Sequence, residues 1–165
     1  EQVFGAPPLI YKAALGGEVQ GAINFWNFGA RMEAAGMKTL LPIGDAAAAL
    51  GLDPQTPLLG YVVRGEVLKA SPDLAGKIAT ASRMAKEKLA ADPAAWDRIR
   101  PMMNAATDKD FEALKAGFIA GTPTPGPVDE AAASRMLALM AELGGEELVG
   151  DLKSLPSGVF YVPGS

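Results

Sequence analysis

The chain holds no cysteine and no histidine. The first absence excludes disulfides, thiol nucleophiles and thiolate metal sites, and the second removes the commonest general base and metal ligand. No catalytic residue and no metal site is therefore expected, and no cofactor is implied. Cations are also scarce: 15 Lys and Arg against 19 Asp and Glu leave a net charge of -4. A nucleic-acid binder needs clustered Lys and Arg to release counterions from phosphates, so no nucleic-acid partner is expected. No apolar run approaches the roughly 20 residues of a membrane span. No charged-then-apolar leader opens the chain, which begins at Glu1, so the sequence reads as soluble and already processed or truncated.

What is present is enough apolar material for one good core or two small ones: 165 residues, 49% of them hydrophobic. The chain is organised around residues 17–36, where Val19, Gly21, Ile23 and Phe25 alternate with Gln20, Ala22 and Asn24. That period of two predicts a short strand. From Trp26 onward, Phe28, Met32 and Ala35 follow helical spacing up to Gly36, so residues 24–27 fall where a strand gives way to a helix. Ligands favour such junctions, because the first N–H groups of the helix are unpaired.

In chain order, Val3 and Phe4 predict a strand end, and Pro8 to Leu15 a helix stopped by Gly16 and Gly17. Residues 37–43 predict a third strand, 46–50 a small-residue helix, 52–57 a turn, and 58–63 a central strand. Beyond Arg64 the pattern is helical. Ser71 with Pro72, Asp92 with Pro93, Asp108, and Asp129 mark four helix starts. The proline-rich stretch 122–127 separates the last two. The expected fold class is α/β, a short and mainly parallel sheet flanked by helices, with residues 1–64 as the α/β portion and 65–165 as a helical segment packed on it.

The succession APPLIYKAALGGEVQGAINFWNFGARMEAAG, followed by PLLGYVVRGEVLKASPDLAGKIATASRMAKEKLA, resembles the second half of periplasmic solute-binding proteins of the nitrate, taurine and aliphatic-sulfonate importers, the thiamine-precursor-binding-like family. The matching residues are Ala14, Leu15, Gly17 to Ala22, and Trp26, then Tyr61 to Val63 with Ser71 and Pro72. The family's usual acid is missing around Gln20 and Gly21. The resemblance implies a type II periplasmic-binding fold, here a truncated one, a periplasmic location, and a partner permease of an ABC transporter. It also implies a small polar or anionic ligand held by lobe closure, and pairing with a second copy if the chain is a fragment.

Candidate ligand contacts are Asn24, Trp26, Asn27, Tyr61, Arg64, Ala6 and Pro7. Asn24 and Asn27 carry amide donors, Trp26 and Tyr61 offer aromatic walls, and Arg64 suits an anion. Ala6 and Pro7 present backbone at a helix start. Each has a plain structural alternative: helix capping for the asparagines, core packing for Trp26, a satisfied hydroxyl for Tyr61, and solvation for Arg64. Two other functions stay open, a helical protein-interaction or structural domain and a hydrolase without histidine. For the hydrolase the sequence offers only pairs such as Ser82 and Lys86, four apart on one helix.

Overall fold

The computed structural model describes residues 1–56, 59–124 and 126–161. Regular structure among them is helical throughout. It comprises α1 (Pro7–Leu15), α2 (Trp26–Ala34), α3 (Ile43–Ala49), α4 (Gly65–Ala70), α5 (Leu74–Ala91), α6 (Pro93–Ile99), a 3-10 turn at Arg100–Met102, α7 (Asp108–Ala120) and α8 (Glu130–Val149).

No strand occurs among the described residues, which corrects the expected α/β class. The segments read as strands form no ladder among the described residues, and bends interrupt them at 18–20 and 40–41. The residue at the end of each and just before a helix has polyproline-like angles: Phe25 at φ -65°, ψ 154°, Pro42 at φ -62°, ψ 140°, and Arg64 at φ -66°, ψ 136°. Period-two alternation specifies extended chain; a strand also needs a neighbour about 4.7–4.9 Å away to take its N–H and C=O groups. Segment 19–25 is rich in Gly, Ala, Asn and Gln, which pair poorly in sheets. Pro42 has no N–H to give, and beyond it residues from Ile43 onward go into α3. Without a sheet the apolar side chains of these segments stay outside, Ile23 at 88%, Leu40 at 90% and Val62 at 97% exposure. The first position of the expected central strand, Leu58, lies outside the described residues.

The same finding overturns the family resemblance, because a type II periplasmic-binding fold is built on sheets and none is present among the described residues. Solute binding by closure of sheet-based lobes, as a component of an ABC importer, is corrected with it.

Most of the helix reading stands at the level of single elements. Pro7 and Pro8 open α1, and Gly16 caps it. Gly36, at φ 100°, ends the turn after α2, and the Met37 N–H reaches back to the Met32 carbonyl at 3.0 Å. Asp92 caps α6 by accepting from the Ala94 N–H at 3.0 Å. For α7 the cap is Thr107 rather than Asp108: its hydroxyl accepts from the Asp110 N–H, and the Asp110 carboxylate accepts from the Thr107 N–H in return. Ser71 ends α4, an element absent from the sequence reading, and α5 starts three residues later. Asp129 caps α8 through the Ala131 and Ala132 N–H groups. The two glycines Gly144 and Gly145 interrupt α8: Gly145 has φ 56°, ψ -156°, angles open only to glycine, and one further turn follows it.

The chain divides into two units, one of Glu1–Leu40 with Met84–Thr122, the other of Leu41–Arg83 with Pro123–Ser165. The first contains α1, α2, the end of α5, α6 and α7. Its core is Trp96, Phe111, Leu114, Met32 and three alanines, Ala14, Ala30 and Ala95. Trp96 is 2% exposed; its indole N–H donates to the Leu89 carbonyl at 2.6 Å, and its ring meets Phe118 edge-on at 5.6 Å. Arg31 of α2 donates to the Met103 and Asn104 carbonyls at 3.0 and 3.1 Å, fastening the loop after the 3-10 turn. Asn104 takes a left-handed conformation there, which asparagine tolerates.

The second unit has one buried apolar residue among those described, Ala132 of α8. Two tyrosine hydroxyls tie distant parts of it together: Tyr61 donates to Ser82 Oγ at 2.9 Å and Tyr161 to the Pro72 carbonyl at 3.3 Å.

Candidate functional site

The first unit carries a shallow cavity of about 230 Å³ where the start of α1 meets the segment leading into α2. Its lining is Gly5, Pro7, Ile10, Ile23, Asn24 and Phe25. Asn24 joins the two walls. Its side-chain amide donates to the Pro7 carbonyl at 2.9 Å, and its Oδ1 accepts from the Phe25 N–H at 2.9 Å. Both ends of the side chain thus hold backbone, and Asn24 braces the cavity.

Two helix starts border this cavity, and their side chains add little to hold an anion. α1 opens with two prolines, which have no N–H, and the next donor, Leu9, is already bonded to the Ala6 carbonyl at 2.8 Å. At α2 the N-cap residue is Phe25, whose side chain cannot accept, and the Phe28 N–H turns back to the Phe25 carbonyl at 3.0 Å. What surrounds the opening is apolar. Of the lining residues Ile23 is 88% exposed and Phe25 is 64% exposed.

Of the residues read from the sequence as ligand contacts, the structure brings Asn24 and Pro7 to this cavity, with Ala6 beside them as the residue capping α1. Trp26 is the first residue of α2, half-exposed, with its ring edge-on to Phe118 at 6.5 Å and lying over Gly117 of α7. A methyl group on Gly117 would come within 3.2 Å of that ring, so the glycine admits the tryptophan. Asn27 is the second residue of α2 and does not cap it. Tyr61 and Arg64 belong to the second unit, Tyr61 bonded to Ser82 and Arg64 exposed at the start of α4. Sequence reasoning missed Ile23 and Phe25 as surface residues, because alternation in a strand would have turned them toward a core.

A second apolar depression of the first unit lies between α5 and α6, lined by Ala85, Leu89, Ala95 and Ile99 with Lys88 and Arg98 at its edge. Asp92 sits between those cations, 2.8 Å from Lys88 and 3.9 Å from Arg98. The hydrogen bond from Lys88 holds the Asp92 carboxyl below the usual carboxylate range, helped by the Ala94 N–H at the helix start. Among the described residues no group of three or more acidic side chains is placed to hold a metal ion, and no helix is long and apolar enough to cross a membrane.

No family model matches the chain, and no curated protein matches it.

Proposed function

We propose that this chain is a helical interaction or structural domain, acting through its surface and not through a reaction. The observation that carries this reading is the pair of exposed apolar side chains, Ile23 and Phe25, that line the cavity at the start of α1 and α2. Scattered apolar residues are normal on a protein surface, but a cluster around a concavity is the usual mark of a contact face. The only polar side chain in the lining, Asn24, is occupied by backbone, so the face favours an apolar protein surface over a charged solute.

The partner is a second copy of the chain. Each copy brings the same apolar pair and the same cavity, so one two-fold contact covers both at once. Light scattering over a concentration series tests this. The chain should pass from monomer to dimer mass as concentration rises. The double variant Ile23→Asp with Phe25→Asp should stay monomeric while keeping its helical circular dichroism. A chain that stays monomeric throughout, or a variant that dimerises as well as the parent, overturns the proposal.

A further inference from the structure

We draw no further inference here: the strongest candidate, the apolar groove between α5 and α6 lined by Ala85, Leu89, Ala95 and Ile99, has both of its edge cations already paired with Asp92, and nothing in the structure shows what covers it.

Discussion

Trp96 is the centre of the first unit's core. It is the largest side chain fully buried, its indole N–H is satisfied, and it packs edge-on against Phe118. Trp96→Ala empties that volume and leaves the Leu89 carbonyl without its indole donor, for which a loss of about 3–5 kcal/mol is expected. Urea unfolding followed by the remaining tryptophan, Trp26, would read it as a lower midpoint. Asp92 acts differently, since it is only partly covered and its effect depends on pH. Its folded pKa lies below the unfolded value of about 3.9. The stabilisation it adds is therefore complete above that value and fades as pH falls through it toward the lower folded pKa. Asp92→Asn keeps a capping side chain but loses the charge. Melting temperatures measured from neutral pH down to about pH 3 should fall less for this variant than for the parent; parallel curves would show that the Lys88 and Arg98 pairs contribute nothing.

Among the elements, what was legible depended on whether the signal was local. Asp92 with Pro93, Pro8, and the glycines after α1 and α2 act on their own backbone neighbours, and those helices start or stop within a residue or two of where these signals stand. The strands were not legible, because pairing depends on a partner segment that alternation cannot name. α4 was missed for a related reason: Arg64 to Ala70 carries no side-chain cap and no apolar stripe, so its six residues give no pattern to read. The cavity was partly legible, through Asn24 and Pro7 at the helix starts. Tyr61 and Arg64 were grouped with them only because a shared sheet would have brought all four together. The break in α8 offers a direct test of how far one residue sets an element. Alanine at Gly145 would cost of order 1–3 kcal/mol in the broken form, whereas in a continuous helix it gains up to about 1 kcal/mol over glycine. Gly145→Ala should therefore straighten α8 and deepen the far-ultraviolet helical signal; an unchanged spectrum with a lower melting temperature would mean that packing holds the break.

At the scale of the whole molecule, the two units differ in what they bury. The first has Trp96, Phe111, Leu114 and Met32 inside, and the second has Ala132. Both tryptophans of the chain, Trp26 and Trp96, lie in the first unit, so their fluorescence reports on it alone. Far-ultraviolet circular dichroism reports on both. In urea the circular dichroism should begin to fall before the fluorescence changes, as the second unit opens first. Coincident curves would mean that the units unfold together. Composition had allowed one core or two small ones, and burial in the structure is concentrated in one. What composition could not supply is the pairing of distant segments, such as Arg31 with the carbonyls of Met103 and Asn104, which holds residues some seventy positions apart.

The break at Gly145 also divides α8 electrically. A helix carries partial negative charge at its carboxyl end, roughly half an elementary charge, and partial positive charge at its amino end. Ending the first part of α8 at residue 144 sets its negative end beside Glu146 and Glu147, with no basic residue in the last turn to offset them. The same two carboxylates stand at the amino end of the turn that follows, where negative charge is welcome. They oppose one part and favour the other, so the two macrodipole terms largely cancel. Helix-dipole electrostatics therefore do not set the bend, and added salt should leave it where it is.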